Sequence, residues 1–188
     1  MVKLDRSVLM KIHMLLAAFI LPVAFMFFTT GALYTWSIKG NYNTETYKLV
    51  LVNPLKSNLP VLIDLATKEL DQRNISMPTG VAKIKEVGTS FMLEWTGSNL
   101  DIILQPTTQP LIAELKVKKT SWYRQFVQLH KAKGGKAFKV YAVILAISLL
   151  TLLITGFIMA MQMPKYRFFT LTAMGLGIVM FVAMVLVS

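Results

Sequence analysis

Cysteine is absent from all 188 residues. That absence excludes a disulfide framework, a thiolate metal site, an iron–sulfur cluster and a cysteine nucleophile together. Histidine is almost absent: His13 and His130 are the only two, and neither lies in the polar middle of the chain. A Ser-His-Asp set is therefore excluded there. Acids are scarce, nine Asp and Glu against 20 Lys and Arg, and none falls in the three longest apolar runs. A proton relay built on carboxylates buried in a membrane is disfavoured for that reason.

What the chain has in excess is apolar surface. Its residues are 55% hydrophobic, with a mean hydropathy of +0.57, more than a soluble domain of this size carries. The excess is gathered in runs. Residues 14–38, 140–164 and 168–188 hold no charge, and about 20 apolar residues suffice to cross a hydrocarbon core. Three transmembrane helices are predicted. The first run is too long for the ~7–15-residue core of a secretory signal, and no small-x-small cleavage site follows it. Tyr34 and Trp36 close it, as interfacial aromatics do. Pro22 predicts a bend within it.

Residues 40–120 are polar and hold most of the acids. Residues 45–52 read as a strand. A helix opens at Leu59-Pro60 with Asn58 or Ser57 as cap, places Leu62, Leu65, Ala66 and Leu70 on one face, and ends by Asn74. Further strands follow at 81–87, 90–95, 100–105 and 111–118, separated by turn signals such as Gly97-Ser98-Asn99. Ala113, Leu115 and Val117 alternate with Glu114, Lys116 and Lys118, which suits a sheet with one wet face. The fold class is thus membrane α-helical, with three transmembrane helices and a small extracytoplasmic α+β module.

The net charge of +11 is concentrated at the edges of the apolar runs, which points to anionic lipid head groups rather than nucleic acid. Residues 121–132 form an amphipathic, interfacial stretch. Trp122, Tyr123, Phe126 and Val127 are placed in the head-group layer, and Arg124, Lys131 and Lys133 toward water or phosphate. With Lys136 and Lys139 they belong to a run of eight basic residues between 116 and 139 that contains no acid. It is a candidate seat for an anionic ligand. Short basic segments stay in the cytoplasm. Lys3, Arg6 and Lys11, together with Lys165 and Arg167, therefore predict a cytoplasmic N-terminus and an outward module and C-terminus. The expected organisation is 1–39 N-terminus and first span, 40–120 module, 121–139 interfacial segment, 140–164 second span, 165–167 cytoplasmic loop and 168–188 third span.

Each histidine begins a membrane segment, and each span carries Thr-Gly: Thr30-Gly31 and Thr155-Gly156. Small residues and Thr hydroxyls are also ordinary helix-packing devices in lipid. The combination resembles the PepSY-associated transmembrane helix family: a His-to-Thr-Gly span, a small polar module, then Leu129-His130, Gly134-Gly135 and a second Thr-Gly span. The resemblance covers nearly the whole chain. It implies a bacterial inner-membrane protein with a PepSY-like module outside. Larger relatives include membrane reductases that bind b-type haem through histidines and reduce ferric siderophores, and they carry histidines this chain lacks.

Two functions follow. In the first, the chain is a non-enzymatic accessory or binding subunit in iron acquisition or membrane electron transfer, with the bilayer and a protein partner or second copy as its partners. In the second, it is a b-type haem redox protein with His13 and His130 as candidate ligands. A bis-histidine haem needs both imidazoles on one iron. On this topology a core of about 30 Å separates them. The second ligand would come from a copy, another subunit or one of the twelve Met residues.

Overall fold

The computed structural model describes residues 5–188, so Lys3 of the N-terminal basic group lies outside the described residues. The elements run α1 Arg6–Thr35, β1 Tyr42–Val50, α2 Leu59–Gln72, β2 Ala82–Val87, β3 Ser90–Thr96, β4 Leu100–Pro106, β5 Ile112–Thr120, α3 Trp122–His130, α4 Lys136–Gln162 and α5 Pro164–Val187. Helices α1, α4 and α5 are each long and apolar enough to cross a membrane. The chain divides into two compact units, Met1–Ala24 with Val143–Ser188, and Phe25–Ala142.

The Phe25–Ala142 unit is built on a five-stranded antiparallel sheet of order β1-β5-β4-β3-β2. Register sorts its residues onto two faces. Leu49, Ala113, Leu115, Val117, Ile102, Leu104 and Leu93 share the first, in one core with Leu62, Ala66 and Leu70 of α2. Those three helix residues recur every four positions and are 0% exposed, the stripe expected of a helix laid on a sheet. Asn58 caps α2 by accepting from Val61 N–H at 3.3 Å, and Pro60 sits in the first turn, where its missing N–H costs nothing. The second face carries Lys48, Lys116 and Lys118. On it Glu114 pairs with Lys116 at 3.1 Å.

Three helices of this unit end alike. Ser37, Asn74 and Ala132 have φ of 63°, 53° and 56°. In each case the next residue's N–H reaches back to the helix: Ile38 to Leu33 O, Ile75 to Leu70 O and Lys133 to Gln128 O. This is the Schellman closure, which satisfies otherwise orphaned carbonyls. Sequence reading places the break after the interfacial stretch at Gly134-Gly135, whereas α3 has already stopped at His130 and Ala132 supplies the left-handed residue.

In the Met1–Ala24 and Val143–Ser188 unit, Leu9, Ile20, Val23, Ala24, Leu145, Ser148 and Thr155 are buried, and α5 buries no residue. The predicted loop at 165–167 is corrected here. Met163 alone separates α4 from α5, and Lys165, Tyr166 and Arg167 already lie in the α5 helix. Pro164 causes this, since its fixed φ starts a helix readily. Arg167 Nε then donates to Met161 O at 2.6 Å, satisfying a carbonyl at the end of α4.

Candidate functional site

His130 is the last residue of α3. Its imidazole rests on Gly31, where a Cβ would lie 3.1 Å from His130 Cε1. Its Nδ1 is 3.1 Å from Thr30 Oγ1, and Phe27 covers it with ring centroids 5.0 Å apart. The tautomer follows from counting protons. A threonine hydroxyl has one to give. Thr30 Oγ1 is 2.6 Å from Met26 O and 3.2 Å from Phe27 O, the back-bond of a helical threonine. The hydroxyl proton is spent there, so Thr30 accepts from His130 Nδ1–H. In the neutral imidazole this leaves the lone pair on Nε2.

The other unit repeats the arrangement. His13, in α1, places Nδ1 2.9 Å from Thr155 Oγ1. Thr155 Oγ1 donates to Thr151 O at 2.7 Å, with Leu152 O at 3.2 Å. A Cβ at Gly156 would lie 3.4 Å from His13 Cε1. Again the imidazole is placed as an Nδ1–H donor, which in its neutral form leaves the lone pair on Nε2. The Thr-Gly dipeptides thus do two jobs: the threonine orients the ring and the glycine admits it. Each histidine uses the Thr-Gly of the other span, His13 that of α4 and His130 that of α1. The two histidines belong to different units, and neither unit brings them together.

The junction between sheet and α3 holds a second polar centre, which sequence reading misses. Asp101, 7% exposed, accepts from Tyr42 Oη at 2.8 Å, Gln128 Nε2 at 2.9 Å and Gly97 N–H at 3.2 Å. Lys133 Nζ lies 3.6 Å away. Tyr42 Oη in turn accepts from Gln128 Nε2 at 2.8 Å and Arg124 NH2 at 2.9 Å. Burial first, and the bond to Asp101 next, push the Tyr42 phenol above its ordinary pKa, against the pull of Arg124. Gln128 is 0% exposed. Among the described residues, its Oε1 and Arg124 Nε are buried without a hydrogen-bond partner. The signal available beforehand was an Asp inside an apolar strand, where Asp is depleted.

The predicted anion-binding residues divide accordingly. Arg124 and Lys133 point inward to this centre, and Arg124 NH1 also donates to Lys39 O at 3.0 Å. Tyr123 Oη donates to Ile38 O at 3.1 Å. Lys131, Lys136 and Lys139 are exposed, and Trp122 is 75% exposed. No family model matches the chain, and no curated protein or solved structure matches it.

Proposed function

We propose that the chain is an integral membrane protein of the PepSY-associated transmembrane helix type. On this reading it is an accessory subunit of electron transfer or iron acquisition in a bacterial inner membrane, and His13 and His130 would hold b-type haem. The observation that carries the reading is the shared geometry at both histidines: Nδ1 within hydrogen-bond distance of a back-bonded threonine hydroxyl, which in the neutral imidazole leaves Nε2 as the lone pair. Histidines that ligate metals donate their other ring N–H in this way, which orients the ring and raises its basicity. The donor set suits haem better than a bare ion. Among the described residues no three His, Cys, Asp or Glu side chains converge, so an ion would find a single imidazole at either place. Haem brings four nitrogen ligands of its own and asks the protein for axial positions. When bound, it supplies one-electron chemistry.

The chain's own residues then have distinct tasks. Thr30 and Thr155 hold the imidazoles, Gly31 and Gly156 let them approach the helices, and Phe27 shields one ring. A copy, another subunit or a methionine would supply the other protein ligand. The N-terminus is cytoplasmic and the sheet module faces outward. A reduced-minus-oxidised absorption spectrum of protein prepared from membranes with haem supplied tests the reading. A haem band is expected, diminished in His13→Ala and in His130→Ala. A colourless preparation, made with its native partners retained, contradicts it.

A second reading rests on a different feature, an open groove of about 710 Å³ beside α2, lined by Leu51, Leu55, Val61 and Leu65 together with Lys56, Asp64 and Lys68. There the module binds a partner and the chain carries no redox group. Retention of partner binding by the His13→Ala/His130→Ala double variant, with loss in Leu55→Asp, separates the two.

A further inference from the structure

Two ammonium groups converge on one phenol ring at the end of α1. Lys39 Nζ lies 5.2 Å from the Tyr34 ring centroid. Lys131 Nζ lies 5.5 Å from the same centroid and 3.5 Å from Tyr34 Oη. Both distances are within cation–π range. Among the described residues neither lysine has an acid partner, and both are exposed.

The backbone fixes this meeting. Ser37, in the left-handed region, turns the chain at the end of α1. Gly40, at φ 70°, lets the chain pass so close to α3 that a Cβ there would lie 2.9 Å from Arg124 N. Ser121 N–H donates to Asn41 O at 3.1 Å, and Tyr123 and Arg124 hold the carbonyls of Ile38 and Lys39. Lys39 and the start of α3 are thereby tied together, with Lys131 just past the end of that helix. Two exposed ammonium groups that share one ring, with no acid partner among the described residues, leave positive charge for an anion. Trp36 and Trp122 are 76% and 75% exposed. Tryptophan and tyrosine at the end of an apolar span mark the head-group level of a bilayer.

We propose that Lys39 and Lys131, gathered on Tyr34, hold the phosphate of an anionic phospholipid. The inference rests on α1 being a membrane span and is independent of haem. The test uses the full chain in mild detergent, titrated with short-chain phosphatidylglycerol and phosphatidylcholine and read by native mass spectrometry. The wild type retains phosphatidylglycerol preferentially. Lys39→Gln/Lys131→Gln loses about thirtyfold of that affinity, the scale set by two lysines near an anionic surface, and leaves phosphatidylcholine binding unchanged. Lys39→Arg/Lys131→Arg keeps the preference, and so does the Lys48→Gln/Lys85→Gln control on the sheet. Equal retention of both lipids by the wild type overturns the proposal, as does an unaltered preference in the Gln double variant. Inorganic phosphate binding as tightly as the lipid overturns it too and assigns the site to a soluble anion. A wild type that does not enter lipid nanodiscs overturns this proposal and the membrane reading together, whereas a colourless protein that selects phosphatidylglycerol removes the haem reading alone.

Discussion

Replacing Asp101 by Ala should be among the most damaging single changes in the sheet unit. The carboxylate is 7% exposed and accepts from Tyr42, Gln128 and Gly97 while Lys133 faces it at 3.6 Å. Its loss orphans donors in a region closed to water, and each buried orphan costs about 1–3 kcal/mol. Tyr42 and Gln128 remain bonded to each other at 2.8 Å, so the penalties do not sum in full. Removing one partner of a buried charged pair costs roughly 3–5 kcal/mol, and that is the expected loss here. Against a total of about 5–15 kcal/mol for a domain, it is enough to unfold a marginal unit. Asp101→Asn keeps one acceptor and should lose about 1–2 kcal/mol. Asp64→Asn breaks the pair with Lys68, whose side chains are 63% and 67% exposed, and should lose less than about 0.5 kcal/mol. Urea unfolding of the full-length protein in mild detergent, followed by tryptophan emission, measures all three. An Asp101→Ala protein within about 1 kcal/mol of wild type would refute the claim that this carboxylate locks α3 to the sheet.

Other consequences are more local. The Tyr42 phenol has a raised pKa when folded, so its contribution is present below its unfolded value of about 10 and is lost as pH rises through the folded value. Wild-type stability should therefore fall above about pH 10 more steeply than that of Tyr42→Phe, as seen in denaturant midpoints across the alkaline range. At Gly80 an added Cβ would lie 2.1 Å from Thr96 O, so Gly80→Ala must shift β3 backbone and should cost about 1–3 kcal/mol. Gly88→Ala has nothing within 4 Å but a φ of 60°, and should cost about 1 kcal/mol through backbone strain alone; the same unfolding assay ranks the two.

Local pattern made much of the fold legible. The alternation of Ala113, Leu115 and Val117 specified the buried face of β5, and Leu59-Pro60 behind Asn58 or Ser57 marked the start of α2, which Asn58 caps, because caps and periodicity are encoded within a few residues. Three apolar runs gave three long helices for the same reason. The break at Ala132 was not legible: a left-handed alanine has no composition signal, and the adjacent Gly134-Gly135 attracts the assignment. The helical Lys165-Tyr166-Arg167 was missed because charge suggested a loop, while Pro164 decided the backbone. The polar centre joins Tyr42, Asp101 and Gln128, residues 27 to 86 positions apart in sequence, and only the assembled sheet brings them together. The His and Thr-Gly motifs were visible. Their exchange, each histidine using the other span's Thr-Gly, was not, since helix pairing leaves no trace in spacing.

On the proposed function, Thr30 and Thr155 orient His130 and His13 to hold haem. Haem titration of the full chain, read by absorption and compared among wild type, Thr30→Val, Thr155→Val, His13→Ala and His130→Ala, tests it most directly. Saturable binding is expected for the wild type, with weaker binding and an altered absorption spectrum in each alanine variant. A roughly 10–100-fold weaker affinity is expected in each valine variant, the scale of removing an outer partner from a metal-ligating histidine. Identical titrations for all five proteins would contradict it.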